Sequence, residues 1–294
     1  MKRIIIMIMV LTMSAALLAG CGSNSAGQTN KNPNSITASG SSALQPLVQD
    51  VANLYKINNP DIAITVNGGG SGEGLKNVSA GSVDIGNSDV YAEEKLSASD
   101  ASKLVDNKVC IVGVGVIVNS DMAASISNIT KAQLKDIFSG KITNWRDIGG
   151  PDQQIVIINR PASSGTRALF VKWGLDGQKA IDGDSSLQTD DSNALVQTVS
   201  TTQGSIGYLA IPYINNNLDK VVSLAIDGVE ANYDNIYNGK YNIWGYEHMY
   251  TKGQPNETVK KFLDFMKSSA VESEIEKLGY GTISKLSSSV AKSR

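Results

Sequence analysis

Three short segments hold the residues best suited to chemistry: Gly40-Ser41-Ser42-Ala43, Gly68-Gly69-Gly70-Ser71-Gly72, and Arg160 followed by Ser163-Ser164-Gly165-Thr166. Each is a small, hydroxyl-bearing turn between a strand-like and a helix-like stretch. Small residues let a backbone come close to a ligand. The first N–H groups of a helix lack intrahelical partners and carry the positive end of its dipole. With serine and threonine hydroxyls added, such a terminus can hold an anion. A single turn of this kind is an ordinary N-cap. Three of them, with Arg160 closing the apolar strand 154–159, predict a cage of neutral donors and one forked cation.

A fourth segment, Val83-Asp84-Ile85-Gly86-Asn87-Ser88-Asp89, adds carboxylates. Asp84 fits a structural cap. Asp89 falls at a strand end, where α/β proteins gather their ligands. A carboxylate suits an anion only if that anion carries a proton. Monohydrogen phosphate does, whereas sulfate at neutral pH does not and would be repelled. A site built around one substrate hydroxyl rejects an analogue lacking it by about 10⁴–10⁵.

Composition narrows the alternatives. The 294 residues are 41% hydrophobic and 18% charged, enough for a substantial core in one large or two ordinary domains. Lys+Arg is 26 and Asp+Glu 28, a net charge of −2, so the basic face that nucleic acid requires is not expected. Two cysteines and one histidine exclude a disulfide scaffold and a His- or Cys-rich metal site, and no cofactor is expected. His248 is the one imidazole available to a serine hydrolase, but Gly70-Ser71-Gly72-Glu73-Gly74 does not place serine centrally in G-x-S-x-G. A nucleotide loop would need Lys-Ser/Thr where Leu75-Lys76 stands. The acidic stretch 176–191 lacks calcium-loop order and reads as a solvated loop.

Strand-like and helix-like segments alternate, which predicts an α/β fold. Strands are expected at 36–38, 61–67, 83–86 and 154–159, and a helix from about Gly74 to Ala80. Leu44, Leu47, Val48, Val51, Leu54 and Tyr55 fall at helical spacing, as do Val259, Phe262, Leu263 and Met266. Leu134, Ile137 and Phe138 mark another helix, and Leu169, Phe170 and Trp173 a further one. The apolar run Val109–Val118 is long enough to pass between two domains. Cys110 within it reads as a small buried hydrophobe.

The first twenty residues form an export signal: Lys2-Arg3, then sixteen apolar or small residues from Ile4 to Ala19. A membrane span needs roughly 20 apolar residues. Leu18-Ala19-Gly20-Cys21 resembles the bacterial lipoprotein box, which implies cleavage before a lipidated Cys21. The residues after it, to Asn34, read as a tether reaching about 20 Å.

The mature sequence resembles the phosphate-binding proteins of bacterial phosphate ABC transporters. The strings that carry the resemblance are Gly40-Ser41-Ser42-Ala43-Leu44-Gln45-Pro46, Gly69-Gly70-Ser71-Gly72, Val83–Asp89, Arg160 with Ser164-Gly165-Thr166, Ile137–Trp145 and Gly204-Ser205-Ile206-Gly207-Tyr208. The resemblance implies an α/β, two-lobed periplasmic-binding-protein-like fold of type II with hinge strands between the lobes. One lobe takes residues 35–112 with 244–294, the other 113–243, and the crossing strands are 109–118 and 243–250. It implies phosphate ligands at Ser42, Ala43, Ser71, Asp89, Arg160, Ser164, Gly165 and Thr166, with Asp89 accepting the anion's proton. Ser41 is a possible substitute donor where the family often has Thr-Phe. Trp145 and Lys141 read as scaffold. No enzyme activity is implied; a binding protein for sulfate or molybdate on the same fold is the alternative. The partners implied are inorganic phosphate, transmembrane permease subunits and, through the lipid, the outer face of the cell membrane, with the protein itself a monomer.

Overall fold

A computed structural model describes residues 34–122, 124–182 and 187–294. The expected export signal, Cys21 and residues 22–33 of the tether lie outside the described residues. Among the described residues no helix is long and apolar enough to cross a membrane.

The alternating pattern condenses into one mixed sheet of ten strands among the described residues. β1 (Ser35–Gly40) lies between β2 (Ala63–Gly69) and β3 (Ile85–Ser88), parallel to both. After β4 (Leu104–Val105) comes the longest strand, β5 (Lys108–Asn119), buried on both faces beyond its first residue. Such a β-branched apolar run is what a central strand requires. The remaining strands are β6 (Asn128–Ile129), β7 (Val156–Ile157), β8 (Ser205–Ala210), β9 (Val221–Ile226) and β10 (Trp244–Lys252). The order is β2-β1-β3-β10-β5-β8-β7.

The first half of β5 pairs with β10 from Lys108 to Gly113. Its second half pairs with β8 from Val114 to Val118 and with β9 from Val116 to Asn119. One strand thus belongs to two sets of neighbours, and each set has its own core. Around β1–β3, the helices α1 (Gln45–Asn58), α5 (Glu257–Met266) and α6 (Ser269–Lys277) bury Leu47, Val51, Phe262, Leu263 and Ile275. Around the far half of β5, Leu134, Phe138, Phe170 and Tyr208 pack together, with the Phe170 and Tyr208 rings stacked at 4.0 Å. Burying each such side chain contributes roughly 1.5–3 kcal/mol.

Several expected elements differ: the strands anticipated at 61–67 and 83–86 each run two residues later, at Ala63–Gly69 and Ile85–Ser88. The strand anticipated at 154–159 is regular only at Val156–Ile157, because Gln154 instead bridges Asn144. The helix anticipated from Gly74, here α2 (Ser71–Ala80), begins three residues earlier. Gly70 turns the chain at φ 88°, and Gly74 N–H donates to Gly70 C=O at 3.0 Å. Glycine is a poor helix former, but Ser71, Gly72 and Gly74 are all buried, so packing fixes this first turn.

Candidate functional site

Each of the three hydroxyl-bearing turns leads from a strand into a helix: β1 to α1, β2 to α2, and β7 to the short α3 (Gly165–Leu169). Ser71 opens α2, and its Oγ accepts from Asp89 N–H at 3.0 Å. The hydroxyl hydrogen of Ser71 therefore remains a donor. Thr166 Oγ1 donates to Asp89 Oδ2 at 2.7 Å. Gly165 sits against both partners: a Cβ there would lie 2.1 Å from Ser71 Oγ and 2.9 Å from Asp89 Cβ. Only glycine lets the start of α3 approach so closely.

Arg160 is 0% exposed. Its Nη2 donates to Ser192 Oγ at 3.0 Å, and Nη1 to the Asp190 carbonyl at 3.1 Å. Nη1 also lies 3.4 Å from Asp190 Oδ1. Ser42 joins this group: its Oγ donates to the Asp190 carbonyl at 2.5 Å and lies 3.2 Å from Ser192 Oγ. Ser164 caps α3, accepting from Arg167 N–H at 3.3 Å. Arg167 in turn donates to the Arg160 carbonyl at 2.5 Å. Ala43 is buried beside Ser42, and its carbonyl accepts from the Tyr280 hydroxyl. Ser41 Oγ accepts from Leu44 N–H at 3.0 Å, a capping role at the entry to α1.

The structure thus gathers Ser42, Ser71, Asp89, Arg160, Ser164, Gly165 and Thr166 into one buried cluster, with Ala43 at its edge. Asp89 is 2% exposed, and its Oδ1 has no hydrogen-bond donor among the described residues. Arg160 Nε has no acceptor there either. A buried charge is tolerated only with partners. The cluster therefore presents the Arg160 guanidinium and the Ser71 hydroxyl as donors, and two carboxylate oxygens, Asp89 Oδ1 and Asp190 Oδ2, that accept from no donor among the described residues.

Sequence reasoning missed three contributors. Asp190 lies in the stretch read as a solvated loop, yet its side chain is 14% exposed and turned onto Arg160. Its Oδ2 lies over Gly70, where a Cβ would come within 1.7 Å. Burial raises the Asp190 carboxyl above its ordinary range, and the Arg160 guanidinium partly offsets this. Ser192 opens α4 (Ser192–Thr201), which is capped by Asp191 Oδ1 accepting from Ala194 N–H at 2.7 Å. An Asp-Ser helix start is visible in sequence, but which of two adjacent aspartates turns inward is not. Lys95 donates to the carbonyls of Ala162 at 2.7 Å and Ser164 at 3.0 Å, clasping the third turn from the side of β3. Burial lowers its ammonium pKa.

The residues read as scaffold behave so. Trp145 is buried, with Nε1 donating to the Gly204 carbonyl at 2.9 Å, and Lys141 pairs with Asp136 at 3.0 Å on the surface. Asp84 Oδ2 accepts from both N–H and Oγ1 of Thr37 at 2.8 Å, a structural bond. Cys110 is buried, and burial pushes its thiol up, away from redox chemistry. His248 Nδ1 lies 2.8 Å from Asp106 Oδ1, and its ring packs against Tyr91 and Tyr250. No serine hydroxyl hydrogen-bonds the ring among the described residues, so the serine partner of a triad is not assembled around it.

A family model described as a PBP superfamily domain matches residues 27–270. The phosphate-binding protein PstS of Bacillus subtilis (strain 168) is 46% identical over 280 residues, covering 92% of this chain and 91% of that protein. This chain belongs to the PstS family of the PBP superfamily. PstS of Staphylococcus saprophyticus is 27% identical over 265 residues, 86% of this chain and 81% of that protein. Among solved structures, a putative phosphate ABC transporter substrate-binding protein with bound phosphate from Clostridium perfringens superposes with a TM-score of 0.72 at 28% identity. That match covers 85% of this chain and 100% of the other. An ABC-type phosphate transport receptor from Vibrio cholerae gives 0.66 at 26% identity, over 84% and 99%. The PstS fold is α/β and two-lobed, as the sequence resemblance implied.

Proposed function

We propose that this PstS-family protein binds inorganic phosphate outside the cytoplasm and delivers it to the permease subunits of an ABC transporter. The observation that carries this reading is the pairing of Asp89 Oδ1, a buried acceptor with no donor among the described residues, with the buried Arg160 guanidinium and the free Ser71 hydroxyl in one cluster. Hydrogen phosphate offers a hydrogen to an open lone pair of this oxygen, and sulfate does not. In this reading Arg160 supplies the forked cation, the hydroxyls of Ser71 and Ser164 and, on leaving their present acceptors, those of Ser42 and Thr166 donate to the anion, and backbone N–H groups of Ala43 and Gly165 complete the shell. No covalent step is involved.

The lobes in this reading are 35–112 with 244–294, and 113–243. The pairing of β5 with β10 and then with β8 and β9 supports that division. Ser71 and Asp89 then lie in one lobe, and Arg160, Ser164 and Thr166 in the other. An anion touching both stabilises the closed arrangement. The protein acts as a monomer, tethered to the membrane through lipid on Cys21. Competition calorimetry with phosphate, arsenate, sulfate and molybdate tests the ligand. Phosphate binds, arsenate competes and the other two do not; sulfate binding as tightly as phosphate overturns the assignment.

A further inference from the structure

β10 runs antiparallel to β3, with Tyr250 opposite Gly86, Met249 opposite Asn87 and His248 opposite Ser88. Continued by one residue, that register sets Glu247 opposite Asp89. Directly opposed residues present their side chains to the same face of a sheet. On its other edge Glu247 is paired with Cys110 of β5. Glu247 is 0% exposed, and neither carboxyl oxygen has a hydrogen-bond donor among the described residues. Asp89 Oδ1 lacks one too, while Asp89 Oδ2 is committed to Thr166.

Two ionised carboxylates cannot share such a place, since among the described residues Glu247 has no donor, the Asp89 carboxylate has one from Thr166 alone, and each repels the other. The titratable groups around Glu247 are Asp89 after β3, Cys110 on β5 and the phenols of Tyr213, Tyr233 and Tyr280. No cation pairs with it among the described residues. Burial drives the Glu247 carboxyl well above its ordinary range, and the neighbouring Asp89 charge drives it further. A carboxylic acid kept neutral by an apolar site can serve as a hydrogen-bond donor.

We propose that Glu247 is a positioning residue of the anion site, held as the neutral acid and donating its O–H to Asp89 Oδ1. This rests on the phosphate reading above for its functional meaning. One proton on Glu247 leaves a single negative charge beside the bound anion instead of two. It also fixes the Asp89 carboxylate as an acceptor whose remaining lone pair faces the ligand.

The test compares the full chain with Glu247→Gln and Glu247→Ala, titrating each with inorganic phosphate and recording infrared spectra. Glutamine keeps an N–H donor towards Asp89, so E247Q retains phosphate affinity within about threefold, whereas E247A loses about tenfold or more. The wild-type protein shows a neutral carboxylic-acid carbonyl band that E247Q lacks. A tenfold tightening of phosphate in E247Q overturns the proposal, because it reveals a charge removed from beside an anion. The absence of the band overturns it as well, as does unaltered affinity in E247A. The infrared arm needs no phosphate: the band without a phosphate titration upholds the neutral Glu247 and overturns the phosphate reading instead.

Discussion

Replacing Arg160 by alanine removes the one guanidinium in direct contact with Ser192 and Asp190 within the cluster. Truncating one partner of a buried, hydrogen-bonded charge pair costs about 2–5 kcal/mol of binding. At 1.4 kcal/mol per tenfold, that is a loss of about 30- to 4,000-fold in phosphate affinity. Arg160→Lys retains the charge but not the fork, since the two Nη groups address separate acceptors, so it falls between the wild type and R160A. The same change strips Asp190 of the cation that offsets its burial. Its native carboxyl then rises further, and the stability it contributes is lost as pH rises through that native value. R160A is therefore less destabilised at pH 5 than at pH 7.5. Isothermal calorimetry measures the affinity, and thermal unfolding at both pH values separates binding from folding. Phosphate affinity within threefold of wild type in well-folded R160A refutes the assignment of Arg160 to the anion.

Asp89→Asn replaces an acceptor-only group by one that also donates, so phosphate loses its advantage over sulfate in a competition titration; unchanged selectivity removes Asp89 from that role. Gly165→Ala places a methyl group 2.1 Å from Ser71 Oγ, and overpacking of this kind costs about 1–3 kcal/mol, read as a lower unfolding midpoint together with weaker phosphate binding. Glu247 binds a proton in the native state that the unfolded chain releases, because its native carboxyl lies well above the ordinary value. Wild-type stability therefore falls as pH rises from the unfolded value through the native one, and E247Q flattens that slope in pH-dependent denaturant melts. Lys95→Met frees the carbonyls of Ala162 and Ser164 from their clasp, and phosphate release in stopped flow becomes faster than in wild type.

What the sequence discloses follows from how locally each feature is determined. The turns at 40–43, 68–72 and 163–166 are legible because small hydroxyl residues before a helix have a local reason to be there. β5 is legible because a β-branched run buried on both faces leaves no period-2 alternation to mistake. The start of α2 is misplaced by three residues because Gly72 and Gly74 argue against helix, and only the packing of Gly72 on Ser163 and of Gly74 on β1 and β3 reverses that. Asp190 looks like any other acid in a polar stretch, since its partner Arg160 is thirty residues away in sequence. Glu247 reads as an ordinary charge in a strand; its position opposite Asp89 depends on a register that local sequence does not carry.

The central claim is that Asp89 and Arg160 grip opposite sides of one protonated anion, and a crystal structure of the protein grown with phosphate tests it most directly. The account predicts a phosphate oxygen within hydrogen-bond reach of Asp89 Oδ1, with others on the Arg160 guanidinium and the hydroxyls of Ser71 and Thr166. Phosphate bound elsewhere, or lying on Arg160 with Asp89 turned away, would contradict it.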